Sequence, residues 1–166
     1  MQFADLRSLY GFDRWATRRV LAVLDGVGEA VWSTQNVIGD RGPGGILVHH
    51  LGAHQRWRHG LSDSSEGPRP EREPLPTPAG LAAAWETEWM AFDAWLDSLD
   101  DAAVNATDEG IPYWQMPAHV VNHGTQHRAE AAAVLTSAGC SPGDLDMIFY
   151  SEGLASARGA EGEGGS

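Results

Sequence analysis

The segment His119–Glu130, HVVNHGTQHRAE, decides how the rest of the chain is read. It sets His119, His123 and His127 at successive four-residue steps. Each residue of an α-helix turns the chain through roughly 100°. Residues four apart therefore drift by only about 40° and share a face. Two imidazoles one turn apart on a rigid helix suit a divalent ion that draws a third ligand from elsewhere. The other histidines, His49, His50, His54 and His59, lie together upstream in a second segment of helical character. Histidines gathered into two clusters on two expected helices favour a metal site over a solvated histidine-rich face.

Working outward, the chain divides into four amphipathic stretches. Phe3, Leu6, Leu9, Tyr10, Trp15, Leu21 and Leu24 recur at helical spacing and predict a first helix over residues 2–26. A connection with the loop GDRGPGG, Gly39 to Gly45, leads to a second helix from about Gly44 to Leu61. Adjacent His49 and His50 splay about 100° apart on that helix, so only one can face a given metal. Spacing alone does not choose between them. Residues 62–78 hold five prolines and no apolar period, as expected of an extended surface connector. Leu81, Trp85, Trp89, Phe92, Leu96 and Leu99 mark a third helix from Thr77 to Leu99, with Thr77 as its cap and Pro78 in its first turn. Residues 100–112 read as a polar turn region with a short extended piece at Val104–Thr107. The fourth helix carries the organising segment and stops at Gly139. It begins at Pro117, or residues 113–116 form a kinked first turn.

The pattern predicts an all-α chain, a four-helix bundle with one long crossover and a short C-terminal appendage. The bundle would span residues 1–150. Residues 151–166, SEGLASARGAEGEGGS, are small, acidic and glycine-rich and read as a mobile tail.

Composition narrows the partners. The net charge of −12 leaves no basic patch for nucleic acid or an anionic membrane. The single cysteine, Cys140, can form neither an internal disulfide nor a thiolate cage, and reads as a small apolar residue at a helix end. No apolar run approaches the roughly 18 residues of a membrane span, and the early charges of MQFADLRSLYGFDRW argue against an export signal. The expected compartment is the cytoplasm. Seven tryptophans give more bulky apolar surface than a small bundle readily hides, which suggests a homodimer with Trp15, Trp32, Trp85, Trp89 and Trp95 as interface candidates.

Three segments carry a resemblance: LVHHLGAHQRW at Leu47–Trp57, HVVNHGTQHR at His119–Arg128 and PGDLDMIFY at Pro142–Tyr150. Together they resemble the DinB/YfiT-like family of metal-binding four-helix-bundle proteins, over most of residues 1–150. In that family a histidine eight residues before a tryptophan joins a histidine pair, four apart, from a later helix. The resemblance thus implies His49, His123 and His127 as ligands of a divalent ion, Zn²⁺ or Ni²⁺, with His119 outside the ligand set. Where the family has HRGQ this chain has HRAE, and His54 stands where a glutamate is common.

Three imidazoles leave the ion open to water or substrate, the arrangement of catalytic rather than structural sites. Such an ion can lower the pKa of water towards about 7 or favour a thiolate. Characterised relatives include transferases and isomerases that use low-molecular-weight thiols such as bacillithiol or mycothiol. The resemblance implies thiol transfer to a small-molecule electrophile, with metal-dependent hydrolysis as the alternative enzyme. A stress-associated metal-binding protein without catalysis is the rival from another class. Candidate catalytic residues are Arg128, to meet an anionic group, and His54, as a proton acceptor. Glu130 is a candidate hydrogen-bond acceptor for a ligand imidazole.

Overall fold

Leu6, Tyr10, Asp13, Thr17 and Val20 recur at steps of four and three and form the buried stripe of helix α1 (Phe3–Ala22). The computed structural model containing it describes residues 1–62, 65–108 and 110–163. Three more long helices follow: α3 (Pro43–Ser62), α4 (Pro78–Leu96) and α6 (Gln115–Ser137). Between them lie a single-turn helix α2 (Glu29–Trp32), a short helix α5 (Asp101–Asn105) and a two-residue antiparallel pair, β1 (Thr107–Asp108) with β2 (Ile111–Pro112). Helix α7 (Met147–Glu163) closes the chain. The all-α bundle expected from the periodicity is the fold observed.

The ends of the helices follow local chemistry. The Thr77 hydroxyl accepts the amide of Gly80 at 3.1 Å, with Pro78 in the first turn of α4. Asp100 caps α5 in the same way through the amide of Ala103. Helix α6 starts at Gln115, so Pro117 sits in its first turn, where an amide has no intrahelical partner to lose.

Helix α1 packs on α4 and α6, and α3 packs on the same two, so α1 and α3 stand diagonally opposite. The core has two apolar clusters, one at each end of the bundle. At one end Leu6 and Tyr10 meet Phe92, Leu96 and Val120, with Trp57 and Leu61 against them. At the other, Val20 and Leu24 meet Ile46, Leu47, Leu81, Trp85 and Leu135. Helices α1 and α6 therefore run one way and α3 and α4 the other. Parallel neighbours cannot be joined by a tight turn. The connector from α3 to α4 must travel back along the bundle, roughly 30 Å for a 20-residue helix. Residues 63–77, rich in proline, have ample reach at about 3.1 Å per residue. This is the long crossover the sequence led us to expect.

Several expectations need amendment. The first helix ends at Ala22 and gives way to a 3-10 turn at Leu24–Gly26. The region after it holds α2, which forms because Trp32 buries its ring in the core and donates to the Pro76 carbonyl at 2.9 Å. The extended piece lies at Thr107–Asp108, while Val104 is helical and buried. Helix α7 continues to Glu163 across residues read as a mobile tail. Tyr150 anchors it against the rings of Phe12 and Trp15. Residues 164–166 of that expected tail lie outside the described residues. Of the tryptophans named as interface candidates, Trp32, Trp85, Trp89 and Trp95 are buried within one chain and Trp15 is half-buried. Among the described residues no helix is long and apolar enough to cross a membrane.

The two-cluster core yields a direct contrast. Leu135 is fully buried and Met90 is 67% exposed. Leu135→Ala should cost about 2–5 kcal/mol in urea unfolding followed by circular dichroism, whereas Met90→Ala should stay within about 0.5 kcal/mol of wild type. Equal, small losses would contradict this core.

Candidate metal centre

His49 on α3 and His123 and His127 on α6 come together between the two helices that share the most extensive contact. Their ligating atoms all lie within 4.8 Å of one another. The ring centroids are 4.4 Å apart for His123 and His127, 4.8 Å for His49 and His127, and 5.4 Å for His49 and His123. His123 Nε2 and His127 Nε2 are 3.1 Å apart. Two nitrogens on a tetrahedral Zn²⁺, each about 2.0–2.1 Å from it, would be separated by roughly 3.3 Å. The residues present fit a metal ion.

The outer nitrogens are tied down. A carboxylate can only accept, so His127 Nδ1–H donates to Glu130 Oε2 at 2.7 Å and His49 Nδ1–H donates to Glu71 Oε1 at 3.1 Å. Each bond fixes the tautomer that leaves Nε2 with a free lone pair, as metal-ligating histidines require. His123 Nε2 and His127 Nε2 share one hydrogen bond. Burial, together with the neighbouring His127, His49 and His119, lowers the His123 pKa to about 4. Burial and Arg41 lower that of His49, against the opposing pull of Glu71. Both imidazoles stay neutral, the form in which they bind metal.

His50, which spacing left open as an alternative to His49, turns into the core. It is 1% exposed, and burial, then Arg128 and the neighbouring histidines, hold its pKa well below 6.5. Gly124 of α6 faces it closely. A Cβ there would sit 2.6 Å from His50 Nε2 and from Asp13 Oδ1, and 2.7 Å from an Arg128 nitrogen. His119 is exposed, stacks edge-on to Trp57 and stays outside the cluster. Cys140 packs on the core just beyond α6, as expected of a small apolar residue.

Arg128 and His54 do not occupy the positions expected of catalytic groups. Arg128 is 2% exposed, forms an ion pair with Asp13 and donates to the hydroxyls of Thr125 at 3.0 Å and Thr17 at 3.4 Å. His54, 1% exposed, lies among Tyr10, Trp85 and Phe92. It donates from Nδ1 to Glu88 Oε1 at 3.1 Å. Arg58 grips both oxygens of Glu88 at 2.8 Å. Burial alone would raise the Glu88 carboxyl, but these hydrogen bonds and charges hold it below its ordinary value. Both candidates belong to a buried polar layer between the two apolar clusters.

The family can now be stated. Its model matches residues 2–159. The chain belongs to the DinB family. No curated protein and no solved structure matches the chain. The family match runs beyond residue 150 into α7.

Three residues of this DinB-family site escaped the sequence reading. Glu71 lies in the proline-rich connector, which carries no periodicity to mark a partner. Its trace is Gly52, one turn after His49 on α3, where a Cβ would come within 2.6 Å of the Glu71 carboxylate. Asp13 and Glu88 were legible as acidic residues inside apolar stripes, Leu6–Tyr10–Asp13–Thr17–Val20 and Leu81–Trp85–Glu88–Phe92–Trp95. A cleft of about 300 Å³ opens beside Glu71, lined also by Gln35, Asp40, Arg41 and Glu73. Another, of about 400 Å³, is lined by Phe12, Thr125, Arg128, Ala129, Leu145, Asp146 and Met147, so Arg128 borders a cleft other than the one beside Glu71.

Arg128→Leu should cost about 3–5 kcal/mol, because it leaves the Asp13 carboxylate buried and unpaired; Asp13→Leu/Arg128→Leu should recover much of the loss. Chemical denaturation checks both, and an undiminished loss in the double variant would count against the ion pair. The histidines set a pH dependence. In the unfolded chain they take up protons near pH 6.5, whereas folded His123 refuses them until about pH 4. The unfolded state therefore binds more protons in that window, and stability falls as pH drops through it. In chelator-treated protein, Tm should hold above pH 7 and decline from about pH 6.5 to 4, with a shallower decline in His123→Gln.

Proposed function

We propose that His49, His123 and His127 hold one divalent metal ion, Zn²⁺ or Ni²⁺, and that the protein uses it to transfer a low-molecular-weight thiol to an electrophile. The observation that carries this reading is the convergence of three imidazoles, two of them braced by carboxylates. Among the described residues no fourth histidine, cysteine or carboxylate joins that group. Three protein ligands and an open position are what substrate chemistry at a metal needs. A divalent ion bound there supplies positive charge that favours a thiolate over a thiol at neutral pH.

The chain's own residues do the rest. Glu71 and Glu130 orient the imidazoles of His49 and His127. Arg41 takes the part first considered for Arg128. Its side chain is 40% exposed and borders the cleft beside Glu71, and its charge acts on both His49 and Glu130. A guanidinium so placed offers paired donors to the carboxylate of a small thiol. Arg128 and His54, both buried and paired with carboxylates, hold the helices in register. Holding thiol and electrophile side by side would lower the barrier through positioning as well as charge. The homodimer belongs among these proposals. Ile148 and Phe149 of α7, 54% and 46% exposed, are apolar residues that a second copy would cover.

Protein purified without a histidine tag should carry close to one equivalent of divalent metal, and His123→Ala or His127→Ala should lose it while His59→Ala keeps it. Thiol consumption with bacillithiol, mycothiol or glutathione and a panel of electrophiles should be abolished by chelator and restored by Zn²⁺ or Ni²⁺. Arg41→Ala should raise KM for the thiol by roughly 10-fold, as loss of a charge-assisted hydrogen bond implies. Turnover of an ester or amide without added thiol would instead identify a hydrolase. A metal-loaded protein silent in both assays would be a binding protein.

A further inference from the structure

We propose that Glu71, at the midpoint of the crossover connector, is a positioning residue for the metal centre, so that docking of the connector and metal binding reinforce one another. The proposal rests on the metal reading above and goes beyond it by assigning a role to a segment outside the four helices.

Four observations meet at this residue. Glu71 sits in a 3-10 turn, Pro70–Arg72, interrupting the extended connector where it passes α3. One carboxylate oxygen accepts from His49 Nδ1 at 3.1 Å. Both oxygens accept from Arg56, at 2.9 and 3.0 Å, so the carboxylate is gripped from α3 as well. The helix surface between His49 and Arg56 is cut away at Gly52, where any side chain would collide with the Glu71 carboxyl carbon at 2.8 Å and an oxygen at 2.6 Å. His49, Gly52 and Arg56 are spaced three and four apart on one face of α3, so this helix presents a notch and two donors for one carboxylate. The connector is tethered on either side of that point. Ser65 hydroxyl and His59 Nδ1 are 3.0 Å apart, and the Pro76 carbonyl accepts from Trp32.

The consequence follows from the two nitrogens of one ring. With Nδ1–H committed to Glu71, His49 presents Nε2 to the cluster in a fixed orientation. Without that acceptor the ring is free to rotate and to exchange tautomers, and α6 alone retains its ligands in place. A partner of this kind typically changes metal affinity by about 10- to 100-fold when removed. Thermodynamic linkage requires the reverse as well, so metal at His49 tightens the connector on α3.

The test measures Zn²⁺ affinity by competition with a chromophoric chelator, in wild type, Glu71→Ala, Glu71→Gln, Gly52→Ala and His49→Ala. Glu71→Ala and Gly52→Ala should each weaken binding by at least about 10-fold, and Glu71→Gln, which keeps an acceptor oxygen, by less. Long-range ¹H–¹⁵N spectra of the imidazoles should show His49 as the Nδ1–H tautomer in wild type and as mixed tautomers in Glu71→Ala. Hydrogen exchange over residues 65–77 should slow on adding Zn²⁺ to wild type, and not in Glu71→Ala. A connector that merely packs on the bundle would shift Tm without moving either the affinity or the tautomer. If His49→Ala loses metal while Glu71→Ala and Gly52→Ala bind as wild type does, the role of Glu71 is overturned and the metal centre stands. If wild type binds no Zn²⁺ at all, both readings fall.

Discussion

Arg128 and Asp13 face each other in the middle of the bundle, each almost wholly buried, on helices that meet nowhere near each other in sequence. A charge in that position tolerates little displacement, because an unpaired carboxylate or guanidinium in an apolar interior is far more costly than a void of the same size. The pair therefore fixes how α1 and α6 sit against one another. Around it Thr17, Thr125, His50, His54, Glu88 and Arg58 complete a polar layer with apolar clusters above and below. Apolar packing supplies most of the drive to fold, but it is permissive about sliding and rotation. We regard the polar layer as the element that selects one register among the packings the apolar clusters would tolerate.

The same layer explains why the histidine cluster lies where it does. Three times the chain sends one residue outward to the cluster and the next residue inward to the layer: His49 and His50, His123 and Gly124, His127 and Arg128. Neighbours on a helix diverge by roughly 100°, so a helix locked by its inward residue has its outward residue aimed as well. Gly124 allows the two helices to approach without a side chain entering the space taken by Asp13, His50 and Arg128. The precision that brings three ring nitrogens within 4.8 Å of one another comes from groups outside the triad.

The crossover has a comparable double role. Because α3 and α4 run parallel, the segment between them must retrace the bundle, and its turn at Pro70–Arg72 docks on α3 beside His49. Prolines limit the freedom of that segment in the unfolded chain, which lowers the entropy lost when it docks. A connector required by topology thus delivers the carboxylate of Glu71 to the back of His49, and borders the cleft that contains Arg41.

The periodicity of the apolar residues was enough to define four long helices, their approximate ends and the all-α class, since burial of a helical stripe is a local consequence of sequence. Spacing put His119, His123 and His127 on one face, because residues one turn apart must share it, and the family resemblance singled out His123 and His127. It left His49 and His50 undecided, since a helix has no fixed rotation until something packs against it. It could not show that Arg128 and His54 are buried, because their carboxylate partners, Asp13 and Glu88, lie on other helices. The turns at α2 and α5 and the helical course of α7 depended on Trp32, Val104 and Tyr150 finding places in the assembled core. Glu71 was invisible for the same reason in its strongest form: a residue in an aperiodic connector acquires a partner only through the path the chain takes. Sequence alone determined which faces of this protein are apolar and which pairs share them. The rotation of each helix, and so the identity of the residues that meet, was decided by tertiary packing, because buried charges and ring nitrogens are satisfied only across helices.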